Sequence, residues 1–510
     1  MRRLRCDPQV REVLLWSLPA LLLGLVLRVM LTSSLPYGYM QYDSADYLVT
    51  AQRFFSNWDL VIHNKKTFLT PILFTLVFLI KIVPALIIIP LIQHLFGLAM
   101  TLLSAVLVRL WFTRWKWFII PVTMLTTANP AILWYEHALL AEFQYLFLVV
   151  LLACIGTAFV LCRTKGLFAF MLATLVFTAG SRPEGKLYFS VAFLLVGLVY
   201  WGNWKEWATK LAILSLVTIG TFAITKTGQA GVLLYATVLP LAPDSPKSAP
   251  DFGPLVNPLR DQYLKEDVTV RTELTTGEKA VSDLAQQYLK EKGIKGDAAA
   301  FCQKLAIEAC LNKPFYLPLI AWNKFLMTMK HGSSAEFDEK RLFEKQLFAY
   351  VRRPWMFELT RGLTGKDLKT EAEVDSWLHA HCSVPGWFDP LQDAWDQLTI
   401  KHGLPDRKYA AIQFPGLPYF FLLAMTGMVA AILRPGPLRI FHIAWVISLS
   451  GVWFVVMLTG VVNCRYRFVF EPFCVIYALL LIDILWSALS SLFAKPTQLE
   501  IPRPEEAFKS

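Results

Sequence analysis

Charged residues are scarce in this chain of 510 residues. Asp, Glu, Lys and Arg make up 17% of the sequence, whereas hydrophobic residues make up 55%, and the mean hydropathy is +0.47. An average soluble domain carries about 25% charged residues. The shortage of charge excludes an ordinary soluble chain and predicts an α-helical polytopic membrane protein.

Several motifs that would point to other functions are also missing. The sequence contains no internal repeat, no glycine-rich phosphate loop, no nucleic-acid motif and no Asn-x-Ser/Thr sequon. The net charge of +11 comes from short Lys and Arg clusters beside apolar runs, as topology signals do, so nucleic acid is not an expected partner. The absence of sequons favours a bacterial inner (plasma) membrane over a glycosylating lumen.

The eight cysteines define neither a disulfide framework nor a metal site. Four lie in segments predicted to face outward, where disulfides form, and their spacing leaves the pairing open; these are Cys302, Cys310, Cys382 and Cys464. His379 and His381 lie close to Cys382, but no cluster has the ligand spacing of a zinc site. No metal or other cofactor is therefore expected.

Apolar stretches long enough to cross a bilayer, about 20 residues each, recur along the chain. They lie near 13–33, 84–111, 117–134, 139–161, 167–180, 187–202, 211–228, 414–433, 440–461 and 468–492. The sequence thus predicts about ten crossings. The stretch 68–83 is shorter and contains a Thr70-Pro71 step, which is typical of an interfacial or re-entrant helix rather than a span.

Positive charge recurs in every second loop. With the Arg-rich N-terminus in the cytoplasm, the loops counted as cytoplasmic carry Arg109, Arg114, Lys116, Arg163, Lys165, Lys205, Lys210, Arg434 and Arg439. This pattern follows the positive-inside rule. It predicts that both termini are cytoplasmic and that the polar block 240–408 lies outside.

The chain is expected to divide into three regions. Residues 1–239 form an N-terminal transmembrane region, 240–408 an extracytoplasmic domain of mixed but mostly helical structure, and 409–510 a C-terminal transmembrane region with a cytoplasmic tail. Six prolines from Pro240 to Pro258 mark the first boundary, because proline does not continue a helix.

Within the outer domain, the sequence pattern predicts helices near 278–292 and 297–311. The segment Asn312–Lys330 is apolar and aromatic and has flanking lysines. This composition is typical of a helix that lies on the membrane surface.

Ionisable residues gather at the predicted outer ends of the helices. The first outer loop carries Asp43 and Asp46, three residues apart on one face of a predicted amphipathic helix. Later outer segments carry Glu136, His137, Glu142, Arg182, Glu184, Arg465, Arg467 and Glu471. Ionisable residues at membrane depth are costly and indicate a functional site.

The outer arginines have two interpretations. Guanidinium groups bind phosphate with bidentate geometry, so Arg182, Arg465 and Arg467 suit an anionic ligand. Alternatively, each arginine forms a structural ion pair with a nearby carboxylate. The candidate carboxylates are Glu184 or Glu136 for Arg182, and Glu471 for the other two.

The order and shared side of these segments resemble the GT-C superfamily of membrane glycosyltransferases, in particular the protein-mannosyltransferase and aminoarabinose-transferase type that uses polyprenyl-phosphate sugars. The segments that carry the resemblance are Y-D-S-A-D-Y-L (42–48), W-Y-E-H-A-L-L-A-E (134–142), S-R-P-E (181–184) and R-Y-R (465–467) with Glu471-Pro472. It covers roughly residues 1–230 and 410–490, and in the outer domain only N-K-P-F-Y-L (312–317). Two features depart from the family: the first-loop acids are not adjacent, and the outer domain lies between spans.

The resemblance implies transfer of a sugar from a polyprenyl-phosphate donor to an extracytoplasmic lipid or protein acceptor. The acceptor loses a proton as it attacks, so a carboxylate is a suitable general base. Asp43 is expected in this role, with Asp46 as the second catalytic candidate. Arginines stabilise the charge that grows on the leaving phosphate. The residues expected to bind substrate are Glu136, His137, Arg182, Glu184, Arg465 and Arg467.

Two other classes of protein remain as alternatives. Intramembrane charges also occur in transporters, although here they gather at one rim of the membrane region and no inverted repeat is present. A non-catalytic scaffold that binds envelope components would leave the rim charges unexplained. Assay of purified protein with labelled polyprenyl-phosphate sugars separates these classes.

Overall fold

The structure of the protein is a computed structural model. It describes residues 8–36, 38, 44, 47, 50–51, 54–55, 68–80, 82–225, 230–265, 274–330, 373, 376, 385–409, 412–460 and 464–493. The fold within these ranges is almost entirely helical, as the hydropathy pattern predicts.

The N-terminal region contains eleven α-helices in the described part of the chain. They are α1 (Pro8–Ser34), α2 (Leu69–Phe74), α3 (Leu76–Ile80), α4 (Ile82–Trp111), α5 (Trp115–Thr127), α6 (Pro130–His137), α7 (Glu142–Cys162), α8 (Lys165–Ser181), α9 (Phe189–Val199), α10 (Trp204–Ile224) and α11 (Ala230–Val238). A 3₁₀-helix, Pro183–Tyr188, joins α8 to α9.

The remaining elements belong to the outer block and the C-terminal region. They are α12 (Gly253–Lys265), α13 (Leu274–Glu291), α14 (Ala298–Asn312), α15 (Leu317–Lys330), α16 (Phe388–Asp396), β1 (Arg407–Tyr409), β2 (Ile412–Phe414), α17 (Tyr419–Leu433), α18 (Arg439–Thr459), α19 (Cys464–Phe468) and α20 (Glu471–Phe493). The two short strands form an antiparallel hairpin in which Lys408 faces Gln413.

Six of the described helices are long and apolar enough to cross a membrane, and the number is seven if the bent pair α5 and α6 counts as one span. Each of the ten predicted stretches contains a helix. Of the three stretches that remain, two contain the shorter apolar helices Lys165–Ser181 and Tyr419–Leu433, and the third contains α9. Another short apolar helix, Gly231–Leu241, lies outside the ten stretches. The chain is thus an α-helical polytopic membrane protein, and α2 and α3 are too short to span, as expected for 68–83.

The bend between α5 and α6 has a local cause in the sequence. Pro130 occupies the first turn of α6, and the side chain of Asn129 accepts a hydrogen bond from the amide of Ile132 at 3.2 Å. Asparagine followed by proline is a favourable start for a helix. A new helix therefore begins here at 48° to the previous one, and it carries Glu136 and His137.

One end of the helix bundle holds loops with basic residues. Arg434 donates to the carbonyl oxygen of Trp111 at 3.0 Å. The carboxylate of Asp483 accepts hydrogen bonds from the amides of Thr113 and Arg114 at 2.8 and 3.0 Å. Two loops that the charge pattern assigns to one side of the membrane thus lie together.

A second hydrophobic cluster extends from Val232 to Ala309, and in it α11 of the N-terminal region packs against α13 and α14 of the outer block. The helices expected near 278–292 and 297–311 are confirmed as α13 and α14. The expectation that the proline-rich segment lacks helix is wrong at its end, because α12 includes Pro258. That proline lies one turn into the helix and removes a single backbone hydrogen bond.

Candidate functional site

The first-loop acids Asp43 and Asp46 lie outside the described residues. Their neighbours Ser44, Tyr47 and Ala51 are helical and buried. The ring of Tyr47 packs edge-on against Phe74 on α2, with 5.9 Å between the ring centroids. Buried positions three and four residues apart agree with the predicted amphipathic helix.

Glu136 forms a buried ion pair with Arg28, a residue of α1. Nη2 of Arg28 lies 2.5 Å from Oε1 of Glu136, and both side chains are almost completely enclosed. Nη1 of Arg28 also donates to the carbonyl oxygen of Gly24 at 2.9 Å and to the hydroxyl of Thr127 at 3.2 Å. Glu136 therefore binds α1 rather than Arg182, the partner that the sequence suggested.

Glycines on two helices make room for this ion pair. A Cβ atom at Gly97 of α4 would lie 2.0 Å from Oε1 of Glu136 and 2.6 Å from Nη2 of Arg28. A Cβ atom at Gly24 of α1 would lie 2.9 Å from Nη1 of Arg28. A side chain at Gly97 or at Gly24 would collide with the ion pair. The absence of side chains at these two positions therefore leaves the space that the pair occupies.

Two histidines extend the ion pair into a hydrogen-bonded chain. Nδ1 of His94 lies 2.9 Å from Oε2 of Glu136, and Nε2 of His94 lies 3.1 Å from Nδ1 of His137. The carboxylate of Glu136 thus accepts hydrogen bonds from both Arg28 and His94. Because a neutral imidazole donates from one nitrogen and accepts at the other, His94 can pass a proton between Glu136 and His137.

Polar side chains also hold the backbone beside His137. The amide of Gln93 donates to the carbonyl oxygens of Glu136 and Ala138, each at 2.9 Å. Gln144 donates to Gln93 at 3.3 Å and accepts from Thr70 of α2 at 2.9 Å. The bond from Gln93 to Glu136 satisfies a carbonyl group in the last turn of α6, and the carbonyl oxygen of Ala138 also accepts from the amide of Leu140 at 2.9 Å.

Arg182 lies where α8 ends, between two carboxylates. Its guanidinium is 2.5 Å from Oε1 of Glu142 and 3.1 Å from Oε1 of Glu184. The rings of Tyr145 and Tyr466 lie 5.9 and 5.5 Å from the guanidinium carbon. The side chain retains 11% exposure.

Lys186 lies in the 3₁₀-helix that follows Arg182. Its ammonium group donates to the carbonyl oxygen of Thr225, at the end of α10. Burial lowers the pKa of Lys186 from its usual value, because a low-dielectric environment disfavours the charged form.

Arg467 is fully enclosed in a third cluster. Its Nε lies 2.6 Å from Oε1 of Glu471, and its Nη2 is 3.7 Å from Asp396 of the outer block. The other oxygen of Glu471 accepts from Asn129 at 2.6 Å and from the indole of Trp395 at 3.2 Å. The side chain of the remaining predicted arginine, Arg465, lies outside the described residues.

Aromatic rings connect the three clusters. Tyr135, next to Glu136, stacks on Phe468, next to Arg467, with 4.3 Å between the centroids. Tyr466 reaches Arg182 from the same short helix. Glu136, His137, Arg182, Glu184 and Arg467 therefore lie together at one end of the bundle, and their role in substrate binding stays a prediction.

Sequence reasoning missed Arg28 and His94, although both carried a signal. Each is an ionisable residue inside a long apolar stretch, which is the pattern that indicates a buried polar site. The pairs Arg182 with Glu184 and Arg467 with Glu471, named as the structural alternative, are both present in the structure.

An apolar groove runs beside the Arg467 cluster. It has a volume of about 330 Å³, and the residues that line it are Pro318, Ala321, Trp322, Phe325, Met425, Met428, Val429, Val446, Ser450, Trp453, Phe454 and Met457. Val429 and Phe454 are exposed on the outer faces of α17 and α18. The groove thus opens onto the apolar surface of the bundle.

The inner end of the groove adjoins the ionic residues. Trp453 packs on Phe325 at 4.9 Å and on Phe470 at 4.8 Å between ring centroids. The amide of Phe470 donates to the carbonyl oxygen of Arg467 at 2.9 Å. A long apolar chain in the groove would therefore approach the segment that carries Arg467.

A metal site needs several His, Cys, Asp or Glu side chains close together. In the part of the chain that the structure describes, no group of three or more His, Cys, Asp or Glu side chains is arranged to hold a metal ion. Cys302 and Cys310 are free thiols, and the histidines near Cys382 lie outside the described residues.

Comparison with known proteins identifies similar folds at low sequence identity. No protein-family model matches the chain, and no curated protein matches it. The archaeal oligosaccharyltransferase AglB from Archaeoglobus fulgidus, in complex with an inhibitory peptide and a dolichol-phosphate, is similar with a TM-score of 0.40 and 14% identity, covering 95% of this chain and 52% of that one. The apo form of the Archaeoglobus fulgidus oligosaccharyltransferase gives a TM-score of 0.39 at 15% identity, covering 94% and 52%.

A third similar structure is ArnT from Cupriavidus metallidurans bound to undecaprenyl phosphate. It has a TM-score of 0.32 and 13% identity, and the match covers 88% of this chain and 77% of ArnT. AglB and ArnT are both GT-C glycosyltransferases, the class that the sequence resembles. The chain spans about half the length of AglB. Likeness at these TM-scores supplies no argument about chemistry, which depends on the site itself.

Proposed function

We propose that the chain is a glycosyltransferase of a bacterial inner membrane, which moves a sugar from a polyprenyl-phosphate donor to an extracytoplasmic lipid or protein acceptor. The observation that carries the proposal is the apolar groove that meets an arginine-bearing segment through Trp453 and Phe470. A polyprenyl-phosphate sugar has the same two parts, a long apolar chain and an anionic head group.

The groove suits a flexible hydrocarbon chain. Its lining consists of aromatic, methionine and small apolar side chains with a single serine, Ser450. Methionine adapts its shape to irregular apolar ligands. A transporter would instead need a polar path for a hydrophilic solute, so the lining favours a lipid ligand.

Arg182 is the best described candidate for the donor phosphate. It is partly exposed, whereas Arg467 is completely enclosed. A phosphate that replaced one of the two carboxylates beside Arg182 would keep the bidentate hydrogen bonds that a guanidinium favours. Glu184, the more exposed of the two carboxylates, then accepts hydrogen bonds from sugar or acceptor hydroxyl groups.

The proposed reaction is a displacement at the anomeric carbon. The acceptor oxygen or nitrogen forms a bond to that carbon, the bond from carbon to phosphate oxygen breaks, and the electron pair leaves with the phosphate. Asp43 takes the acceptor proton as general base, with Asp46 as the alternative. Cations near the departing phosphate lower the barrier, so the proposal requires no metal.

The test is incubation of the purified protein, in detergent or nanodiscs, with labelled polyprenyl-phosphate sugars. We expect transfer to an envelope acceptor, or slow hydrolysis when no acceptor is added. Nucleotide sugars serve as the control donor and are expected to remain intact. Solute uptake by proteoliposomes without consumption of any polyprenyl-phosphate sugar would replace the proposal with the transporter reading.

A further inference from the structure

Lys324 is a buried lysine at the junction of the outer block and the membrane helices. It lies on α15 and is 7% exposed. Its Nζ donates to the carbonyl oxygen of Gly460 at 2.6 Å and to the hydroxyl of Thr237 at 3.2 Å. Three separate parts of the chain thus meet at one ammonium group.

The environment of Lys324 disfavours its charge. Burial lowers the pKa of Lys324 to about 7, and its partners in the described part of the chain are a carbonyl and a hydroxyl rather than a carboxylate. Burying a lysine in this way costs free energy. The two hydrogen bonds that Lys324 donates are the contribution that an apolar side chain at this position would not make.

Gly460 connects Lys324 to the segment that carries the predicted arginines. It follows the last residue of α18, and its amide donates to Val456 at 2.6 Å. A Cβ atom at this position would lie 2.7 Å from that same carbonyl oxygen and 3.2 Å from the ring of Tyr466. The ring therefore packs directly on the glycine backbone that Lys324 holds.

Tyr466 in turn contacts Arg182. The guanidinium carbon lies 5.5 Å from the centre of the Tyr466 ring, within the range of a cation–π interaction. The contacts therefore continue from Lys324 through Gly460 and Tyr466 to Arg182, which is paired with Glu142 and Glu184.

We propose that Lys324 is a positioning residue, which holds the end of α18 so that Tyr466 stays against the guanidinium of Arg182. Lys324 acts through Gly460 and Tyr466 and does not itself touch the donor. The effect on donor binding rests on the proposed function, in which Arg182 binds the donor phosphate. The effect on the order of the segment 456–468 does not depend on the proposed function.

The titration of Lys324 makes the stability of the protein depend on pH, which an apolar side chain of the same size would not do. An unfolded lysine has a pKa of about 10.4. Between about pH 7 and about pH 10.4, the folded protein binds fewer protons at this site than the unfolded protein, so its free energy of unfolding rises with pH. The titratable groups on the elements packed against α15 are Tyr235 on α11, Arg439 and His442 on α18, Cys464, Arg465, Tyr466 and Arg467 on α19, and Lys401 in the π-helical turn Gln397–Lys401.

The experiment compares Lys324→Met with wild type in the purified full-length protein. Methionine keeps much of the length of the side chain but donates no hydrogen bond. We expect amide hydrogen exchange in 456–468 to become about tenfold faster in Lys324→Met while exchange in the middle of α7 stays unchanged. The rise of melting temperature between pH 7 and pH 9 is expected to be smaller in the variant.

Two further variants keep the test informative. Thr237→Val removes one of the two acceptors at little change in volume, and we expect a smaller change in the same direction. Lys304→Met changes an exposed lysine on α14 and is expected to match wild type. If exchange in 456–468 is unchanged in both Lys324→Met and Thr237→Val, Lys324 does not position this segment.

Binding of undecaprenyl phosphate separates the two proposals. We expect Lys324→Met to weaken its binding roughly 2- to 30-fold, the range for residues that act through a contact network. Unchanged affinity in a variant with faster exchange would remove the link to Arg182. If the wild type binds no undecaprenyl phosphate while the exchange result holds, the proposed donor is wrong and the positioning role of Lys324 stands.

Discussion

Arg28 and Glu136, 108 residues apart in the chain, form an ion pair with 2.5 Å between Nη2 and Oε1 in the interior of the helix bundle. Nδ1 of His94 lies within hydrogen-bond distance, 2.9 Å, of the other oxygen of the Glu136 carboxylate. The pair joins α1 to α6, and α4 adds the histidine. The position of His137 thus depends on residues from three helices.

Removal of one partner from this pair is expected to destabilise the protein strongly. Arg28→Met leaves the buried carboxylate of Glu136 without its main counter-ion, and we expect a loss of about 3–5 kcal/mol in the free energy of unfolding. Thermal unfolding in detergent measures the effect. The control is Lys116→Met, which breaks the exposed pair of Lys116 with Glu12 and is expected to cost about 0–1 kcal/mol. Equal melting temperatures for the two variants would show that the buried pair contributes little.

Asp43→Asn is expected to abolish sugar transfer while the protein still folds and binds the lipid donor. The amide keeps the shape of the side chain but does not accept the proton, and the loss expected for a general base is roughly 10²–10⁴-fold in rate. Single-turnover assays at saturating donor measure this loss. Turnover close to wild type would assign the proton to another group, with Asp46→Asn as the next variant to test.

Arg182 and Arg467 are expected to respond differently to substitution by lysine. Arg182→Lys keeps the charge but loses the two parallel hydrogen bonds that a guanidinium donates. We therefore expect a clear loss of donor affinity with little change in melting temperature. Arg182→Ala is expected to cost on the order of 1.5–3 kcal/mol of donor binding for each charge-assisted hydrogen bond lost. Arg467→Lys is expected mainly to lower the melting temperature, because that side chain is enclosed with Glu471 and Asp396.

Donor binding and melting temperature measured side by side decide between these roles. Arg465, predicted from the sequence to act on the donor phosphate, is tested in the same way. A loss of stability without a loss of affinity at all three arginines would leave only the structural interpretation of these residues.

The exposed side of the segment around α15 is expected to enter the membrane surface. Large apolar side chains are exposed at Ile307, Leu311, Phe315 and Trp322, while the opposite side of α15 packs against α18 through Phe325 and Trp453. Such an apolar face beside a membrane helix favours the lipid interface. The prediction that Asn312–Lys330 lies on the surface therefore applies to one side of the helix.

A spin label at Phe315 tests this contact without any assay of activity. We expect lipid-soluble oxygen to accelerate the relaxation of this label more than a water-soluble nickel complex does. A label at Lys290, an exposed residue of α13, serves as the control and is expected to show the reverse. Equal behaviour of the two labels would place the Phe315 face in water.

The orientation of the outer block is expected to be extracytoplasmic, with both termini in the cytoplasm. The alternation of basic loops supports this topology. A cysteine introduced at Val270 is therefore expected to react with a membrane-impermeant reagent from the outside of intact cells. Labelling of that cysteine from the cytoplasmic side alone would reverse the topology.

Much of the architecture is readable from the sequence because its signals are local. Hydropathy over about 20 residues marks a candidate membrane helix. Each predicted stretch contains an α-helix, and six or seven of the described helices are long and apolar enough to span. The motif around Glu136 and the Ser181–Glu184 motif place ionisable groups at helix ends, and the antiparallel order of the helices brings those ends together. Helix bounds were less predictable. α9 ends at Val199, where a turn begins, although the apolar stretch continues to 202. α17 begins at Tyr419 rather than at 414, because β2 occupies Ile412–Phe414 just before it.

The sequence by itself determined a helical membrane protein with ionisable residues at one end of its bundle, because burial in lipid demands apolar spans and makes each remaining charge conspicuous. Only the tertiary structure decided the partners of those charges. Arg28 with Glu136, His94 with His137 and Lys324 with Gly460 join residues that are far apart in the chain, and hydropathy contains no information on which helices pack together. The need for a glycine at position 97 and the enclosure of Arg467 were likewise decided by the tertiary structure. They follow from the close approach of particular helices, which depends on the shapes of side chains from several segments at once.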